Sequence, residues 1–343
     1  MKKVLVTGGC GYIGSHTIID LINKGFEVVS VDNLVNADEQ ALDGIEAITG
    51  KRVQNYVVDL CELEATRQIF ADHPDIVGVI HFAALKAVGE SVEQPTRYFR
   101  NNLNSLLNIM DCAQAAGVRH FIFSSSCSVY GNATELPVTE ETPFKPAESP
   151  YARTKQMGEQ MIRDFSLPFS DFTSVILRYF NPAGAHPTAL LGESPVNKAL
   201  NLVPVITETA IGKREGMHVY GTDYDTRDGS CVRDYIHIMD LADAHSKALL
   251  YLLEQRNEVQ CEAFNLGIGE GVTVLEAIQA FEKTTQQQLK YQLGPRRPGD
   301  VVAIYANNDK AANRLRWTPQ YSIDDIMRTA WEWEVKRSSV TTE

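Results

Sequence analysis

Val4-Leu5-Val6-Thr7-Gly8-Gly9-Cys10-Gly11-Tyr12-Ile13-Gly14-Ser15-His16 reads as a strand, a glycine turn and the start of a helix. Gly8, Gly11 and Gly14 fall at three-residue spacing. The first permits a tight turn, the second lets a pyrophosphate approach the backbone, and the third lets the helix pack close to the strand. A phosphate placed there sits at the positive end of the helix dipole. The next apolar run, Glu27–Asp32, ends in Asp32, 18 residues past Gly14. A carboxylate at that point accepts hydrogen bonds from a ribose hydroxyl and repels a 2′-phosphate, which favours NAD over NADP. Asp59, at the end of the following run, stays open between two readings: the adenine edge of the same cofactor, or a solvated loop carboxylate.

The pattern continues outward from the turn. Apolar runs at Val4–Thr7, Glu27–Asp32, Asn55–Asp59, Val77–Ala83, Phe121–Ser126 and Ser174–Phe180 alternate with helical spacing at Ser15–Lys24, Glu62–His73 and Tyr98–Ala116. Near-continuous apolar strands between helices imply a parallel sheet covered on both faces. Gly25 and Gly117 stand where helix C-caps are expected. After Phe180 the string Asn181-Pro182-Ala183-Gly184 breaks the alternation, and loops with isolated helices (Leu200–Ile211, Ile238–Leu253, Val274–Lys283) follow. The expected fold is α/β: a doubly wound parallel sheet of Rossmann type, with a smaller C-terminal α/β substrate-binding region. Residues 1–180 form the NAD-binding part and residues 181–343 mainly the substrate-binding part. Tyr235–His237 and Phe264–Leu266, within about 232–266, are strands that could rejoin the main sheet.

Composition narrows the function. The 343 residues carry 32 Lys+Arg against 44 Asp+Glu, a formal charge of −12. That balance repels a polyanion, so no nucleic-acid partner is expected. The N-terminus is too short in apolar length for a signal peptide, and no stretch approaches a membrane span, so a cytoplasmic protein is expected. The six cysteines are scattered and read as buried free thiols in a reducing compartment. No metal-type spacing appears, and no metal is expected.

Pro150-Tyr151-Ala152-Arg153-Thr154-Lys155 opens a helix on which Tyr151 and Lys155 share a face. A phenol needs nearby positive charge to act as a base near neutrality, and Lys155 with an oxidised nicotinamide ring would supply it. Phe121-Ile122-Phe123-Ser124-Ser125-Ser126 ends a strand in hydroxyls, where open α/β sheets place ligands. Ser126 is then placed to hydrogen-bond the oxygen that Tyr151 deprotonates. Cys127 beside it lacks an activating histidine and reads as a packed thiol.

These residues resemble the extended short-chain dehydrogenase/reductase family, and within it the UDP-hexose 4-epimerases. The resemblance runs nearly end to end. It rests on the glycine string, on His81-Phe82-Ala83-Ala84-Leu85-Lys86-Ala87-Val88-Gly89-Glu90-Ser91 and on Leu177-Arg178-Tyr179-Phe180-Asn181-Pro182 with Gly184-Ala185-His186. Val232-Arg233-Asp234-Tyr235-Ile236-His237 and Pro295-Arg296-Arg297-Pro298-Gly299-Asp300 complete it. It implies tightly held NAD, a UDP-hexose substrate and interconversion of UDP-galactose and UDP-glucose. The route it implies is oxidation at C4, turning of the 4-ketose and re-reduction from the opposite face. Tyr151, Lys155 and Ser126 would be the catalytic set. On the cofactor side the resemblance adds Asn33, Phe82, Ala83, Lys86, Asn101, Ser124 and Tyr179. Tyr12 and Ile13 in the loop and Leu60 beside Asp59 complete that set. Asn181, Asn201, Leu202, Tyr220, Arg233, Arg297 and Asp300 match positions that hold the UDP. Guanidinium groups suit a diphosphate, though without the resemblance Arg233 and Arg297 read as surface or salt-bridge arginines, and Lys86 as a solvated lysine. A homodimer pairing through helices within Tyr98–Ala116 and Tyr151–Phe165 is also implied.

Two departures from the family bear on the reaction. Related dehydratases carry an Asp-Glu pair before the Val-Tyr-Gly string, and decarboxylases carry a glutamate there. Here Cys127-Ser128 precede Val129-Tyr130-Gly131, leaving no catalyst for elimination. At Ile304 the family has Tyr where substrates are restricted to glucose and galactose, and Cys where N-acetyl sugars are accepted. Ile is intermediate in size, and partial tolerance of the N-acetyl group is the expectation. The alternatives are a 4-epimerase of an N-acetylhexosamine or uronate, and a non-catalytic NAD-binding regulator on the same fold.

Overall fold

The computed structural model describes residues 2–296 and 301–340. Arg297 and Asp300 lie outside them. The first half alternates β1 (Lys3–Thr7), α1 (Tyr12–Asn23), β2 (Glu27–Val31), α2 (Gln40–Thr49), β3 (Gln54–Tyr56), α3 (Leu63–Asp72) and β4 (Ile76–His81). Next come α4 (Val88–Glu93), α5 (Pro95–Ala115), β5 (His120–Ser126), α6 (Pro150–Ser166) and β6 (Thr173–Tyr179). The second half holds β7 (Asn181–Ala183), α7 (Leu202–Ala210), β8 (Met217–Tyr220), β9 (Val232–Arg233), β10 (Tyr235–His237) and α8 (Ile238–Leu253). It ends with β11 (Cys261–Leu266), β12 (Val272–Thr273), α9 (Val274–Thr285), β13 (Tyr291–Gly294) and α10 (Ile323–Val340).

One seven-stranded sheet runs in the order β3-β2-β1-β4-β5-β6-β11, with every pairing parallel. The chain winds one way from β1 to β3, then restarts on the other side of β1. That reversal opens a crevice at the strand C-termini between β1 and β4. One face of the sheet is buried under α1, α2 and α8, around Ile18, Ile45 and Leu249. The opposite face is buried under α3, α5 and α6, around Ile69, Ile109 and Ile162. Such double cover is why these strands read as continuous apolar runs rather than alternating ones. Gly25 at φ +86° and Gly117 at φ +75° follow α1 and α5 in the left-handed conformation that ends a helix.

Two expectations are corrected. Of the strands that could rejoin the main sheet, Cys261–Leu266 does so at its edge, whereas Tyr235–His237 pairs in parallel with Asn181–Ala183 in a separate two-stranded sheet. The place beside β6 is taken by β11, which pairs with it along the whole of Cys261–Leu266, whereas the short β10 matches the equally short β7. The third strand ends at Tyr56, so Asp59 lies beyond it in a turn, its Oδ1 accepting Cys61 N at 2.9 Å. Of the cysteines, Cys10, Cys112 and Cys231 are buried and Cys61, Cys127 and Cys261 half-buried, all as free thiols. No helix of the described residues is long and apolar enough to cross a membrane.

Candidate active site

The glycine turn closes on itself. Gly8 has φ +67°, donates its N–H to Val31 O at 2.8 Å and accepts Gly11 N at 3.1 Å. A Cβ on Gly14 would stand 2.2 Å from Gly8 O, so no larger residue fits without moving the loop. The first turn of α1 therefore opens directly onto the crevice. Asp32 sits just past β2, 9% exposed, and accepts Cys10 N at 3.1 Å and Leu34 N at 2.9 Å. Burial pushes its carboxyl up and these backbone donors pull it down. Its remaining lone pairs suit neutral hydroxyl donors. Thr7 is an anchor that the sequence reading passed over. Its Oγ1 bonds His81 Nδ1 at 2.8 Å and accepts Phe82 N and Ala83 N, each at 3.2 Å. It thereby ties the end of β1 to the segment after β4.

The other positions expected to face the cofactor are held by varied contacts. Tyr12 OH donates to Gly184 O at 2.6 Å, joining the loop to the second half of the chain. Ile13 packs on the core, and Leu60 is buried beneath Asp59. Asn33 Oδ1 accepts Val35 N at 3.2 Å in an exposed turn. The Phe82 ring lies 4.6 Å from that of His245. Lys86 Nζ stands 4.0 Å from Glu193 Oε1. Asn101 Nδ2 donates to Asn102 Oδ1 at 3.0 Å. Asn102 is a second residue the sequence did not signal. It accepts Leu85 N at 2.8 Å and donates to Leu85 O at 3.0 Å and Thr154 Oγ1 at 3.1 Å, fixing the post-β4 loop to α6.

Ser149 caps α6, its Oγ accepting Ala152 N at 3.1 Å, and Pro150 supplies a first turn with no N–H to satisfy. This start places Tyr151 against the end of β5. Lys155, 5% exposed, donates from Nζ to Ser124 O at 2.6 Å and lies 5.9 Å from the Tyr151 ring centroid. Ser124 Oγ bonds the Tyr179 hydroxyl. Burial pushes the Tyr151 phenol up to about 12, while its hydrogen bond to Ser126 works the other way. Burial brings Lys155 down to about 8, against the pull of Glu159. Of the two positive charges invoked for activating Tyr151, Lys155 is thus in place beside the ring. Cys127 is pushed up to about 12 by burial and is a neutral thiol, not a nucleophile.

Across the crevice, Asn181 Oδ1 is buried with no hydrogen-bond partner among the described residues. A buried amide oxygen left so is a ready acceptor for a ligand. Asn201, the N-cap residue of α7, donates from Nδ2 to Glu193 Oε1 at 3.2 Å, and Leu202 begins the helix. Tyr220 ends β8. Arg233 donates from Nη1 to Val232 O at 2.8 Å and Val301 O at 2.7 Å, and its Nε and Nη2 make no hydrogen bond among the described residues. Ile304, 5% exposed, is buried with Val129, Tyr130, Val138 and Phe180.

Known proteins resemble this arrangement over its whole length. A family model described as GDP-mannose 4,6 dehydratase matches residues 5–330. The UDP-glucose 4-epimerase of Bacillus subtilis (strain 168) is 44% identical over 331 residues, 96% of this chain and 96% of its own. The crystal structure of UDP-glucose-4-epimerase from Stenotrophomonas maltophila, with bound NAD and formylated UDP-arabinopyranose, matches at a TM-score of 0.95 and 40% identity, over 99% of this chain and 100% of that one. That of the Bifidobacterium longum UDP-glucose 4-epimerase, in complex with NAD+ and UDP, matches at 0.92 and 44% identity, over 98% and 99%.

Proposed function

The chain belongs to the UDP-glucose 4-epimerases of the extended short-chain dehydrogenase/reductase family, and from that premise we propose that it is an NAD-dependent isomerase interconverting UDP-galactose and UDP-glucose. The observation that carries the reading is the convergence of Ser126, Tyr151 and Lys155 on the crevice that the glycine turn opens. Residues 1–180 would hold the cofactor and residues 181–343 mainly the UDP-sugar.

The turn fits NAD, since its closed glycines leave the first turn of α1 open to a pyrophosphate. Gly8, Gly11, Tyr12, Ile13 and Gly14 would hold that group. Asp32 and Asn33 would take the ribose, Asp59 and Leu60 the adenine edge. Phe82, Ala83, Lys86, Asn101, Ser124, Tyr151, Lys155 and Tyr179 would line the nicotinamide side. NAD, when bound, supplies the acceptance of a hydride from C4 and its return. As the phenolate that Lys155 and an oxidised nicotinamide ring together would favour, Tyr151 Oη takes the proton of the sugar 4-hydroxyl and gives it back when hydride returns. Lys155 steadies the phenolate, and Ser126 donates a hydrogen bond to the 4-oxygen. Asn181, Asn201, Leu202, Tyr220 and Arg233 anchor the UDP, with Arg297 and Asp300 beyond the described residues. Because the anchor grips the nucleotide and not the hexose, the sugar can turn over while held. Cys127 and Ser128 offer no acid–base pair for elimination, which favours epimerisation over dehydration.

The test is to incubate the purified protein with UDP-galactose, adding no NAD, and to follow UDP-glucose. Conversion without net accumulation of NADH is expected. A protein that carries NAD yet converts no UDP-hexose would sink the reading in favour of a regulator.

Ile304 favours a second, overlapping activity. A side chain smaller than tyrosine at that buried position leaves room toward the sugar pocket, so UDP-N-acetylgalactosamine is expected to turn over at a reduced rate. The absence of any reaction with it would refute this. The same family reading makes the protein a cytoplasmic homodimer pairing through α5 and α6, whose exposed Leu107 and Met157 offer apolar surface. Sedimentation at a single-chain mass would overturn the dimer.

A further inference from the structure

Ser125, the middle of the three serines that end β5, has no part in the site described so far. Its Oγ donates to Glu159 Oε1 at 2.6 Å. Glu159 is 1% exposed and lies four residues after Lys155, so Tyr151, Lys155 and Glu159 share one face of α6. Arg178 on β6, 3% exposed, grips the same carboxylate with its fork, Nε to Oε1 at 2.9 Å and Nη2 to Oε2 at 2.7 Å. Arg163 reaches Oε2 from the solvent side at 3.4 Å. Arg178 Nη1 goes on to the Tyr130 hydroxyl at 3.0 Å and to Glu140 O at 3.1 Å.

A buried ion pair is weak evidence for stability, because desolvating both charges offsets their attraction. The position of this one points to a different use. We propose that Glu159 is a positioning residue for Lys155: held by Ser125 and Arg178, its carboxylate sets α6 against β5 and supplies the buried negative charge that keeps the Lys155 ammonium protonated beside Tyr151.

Two independent features carry this. The first is a double staple between α6 and consecutive residues of β5, Lys155 to Ser124 O and Ser125 to Glu159, each at 2.6 Å. The second is the charge around Lys155. On β4, His81 is held neutral, its imidazole brought down to about 3 by burial with Lys155 adding to the effect. Burial keeps Tyr151, Tyr179 on β6 and Cys127 in their neutral forms. On α4, Glu90 is taken up by Tyr98 and Arg97. The charged residues of α5, Arg97, Arg100 and Asp111, are exposed. On β11, Glu262 is engaged by Tyr251 and Arg314, and His120 lies at the opposite end of β5. Glu159, one helical turn from Lys155 on the same face of α6, is the carboxylate that opposes the burial of Lys155, although Arg178 and Arg163 share its charge.

The role of Lys155 in turnover rests on the epimerase reading, but its titration does not, so the test reads both. In the full-length protein labelled at the lysine Cε, the Lys155 resonance is assigned by its loss in Lys155→Arg and titrated in each variant. Glu159→Gln should lower its midpoint by about one pH unit, and Arg178→Gln should raise it, because opposite charges are removed from the same carboxylate–guanidinium pair. Arg178→Lys, which keeps the charge, should leave it near the wild-type value. The alkaline limb of turnover with UDP-galactose should move with the resonance, at unchanged KM. Purely structural damage would lower activity in both Gln variants without opposite shifts. If the two midpoints move the same way, or neither moves, the proposal fails. Should Glu159→Gln not fold, Arg178→Gln decides alone: a midpoint that stays or falls overturns it. A wild type that titrates as stated but converts no UDP-hexose would refute the epimerase reading and leave this one standing.

Discussion

The two sides of the crevice are built in opposite ways. The proposed dinucleotide side is contiguous: β1, the glycine turn and α1 lie within Lys3–Asn23, and Asp32, Phe82, Ala83, Ser124 and Ser126 stand at or just past the ends of the strands that follow. The proposed substrate side is assembled from pieces far apart in the chain. Asn181–Ala183 pairs with Tyr235–His237, Met217–Tyr220 with Tyr291–Gly294, and Val232–Arg233 with Val272–Thr273. A contiguous motif carries its own geometry, because spacing along one strand and one helix determines which groups meet. An assembled surface carries little of it, because two to four residues of strand are too short to show a period. Helix α6 sits between the two, tied to the end of β5 through Lys155 and Glu159.

Variants on the two sides should therefore fail differently. Tyr151→Phe, between them, should have the largest effect: turnover of UDP-galactose falls by about 10²–10⁴-fold, while the cofactor content of the purified protein is unchanged. Near-wild-type turnover would break the assignment of Tyr151. On the dinucleotide side, Gly14→Ala forces a Cβ to within 2.2 Å of Gly8 O. Overpacking of that kind costs about 1–3 kcal/mol. Thermal melting should show the loss of stability, and bound NAD measured after denaturation should fall with it. A variant that keeps full cofactor and stability would show that the turn can yield to a Cβ at Gly14.

Arg233→Ala tests the substrate side. It should raise KM for UDP-galactose about tenfold, as expected for losing a hydrogen bond to a charged group, while kcat changes little and cofactor content not at all. A loss of NAD instead would erase the distinction between the two sides. The smallest effect is expected at His237, where the second half of the chain meets α10. Its ring stacks on Tyr321 at 4.1 Å, and burial brings it down to about 3. Its ordinary value is near 6.5, so the unfolded chain takes up a proton that the folded one refuses. The stability tied to this group is complete above pH 6.5 and declines as pH falls toward 3. His237→Gln cannot protonate, so the stability gap between wild type and variant should narrow below pH 6.5. Denaturant titrations at pH 7.5 and 5.5 measure it, and a gap that widens on acidification refutes the account.

Much of the first half, and the helix α8 of the second, is legible in the sequence. The runs at Glu27–Asp32 and Phe121–Ser126 and the helix at Ile238–Leu253 fall within a residue of the observed elements. A sheet covered on both faces leaves an unbroken apolar record. Asp59 was placed at a strand end and lies in a turn, because a three-residue edge strand leaves a weak one. Thr7 and Asn102 escaped notice for another reason: their partners, His81 and Thr154, lie 74 and 52 residues away. The position of Ile304 against Tyr130 and Phe180 depends likewise on distant segments coming together.

The sequence by itself determined the doubly wound sheet, the glycine turn with its carboxylate at Asp32, and the pairing of Tyr151 with Lys155 on one helix face. Each of these follows from spacing along a single strand or helix, and backbone periodicity is a local property. Only the tertiary structure decided that β11 and not β10 joins the main sheet. It alone showed that burial holds Tyr151 as a phenol despite its lysine, and that Ser125 and Arg178 meet on Glu159. Those facts depend on which surfaces exclude water from one another, and desolvation has no signature along the chain.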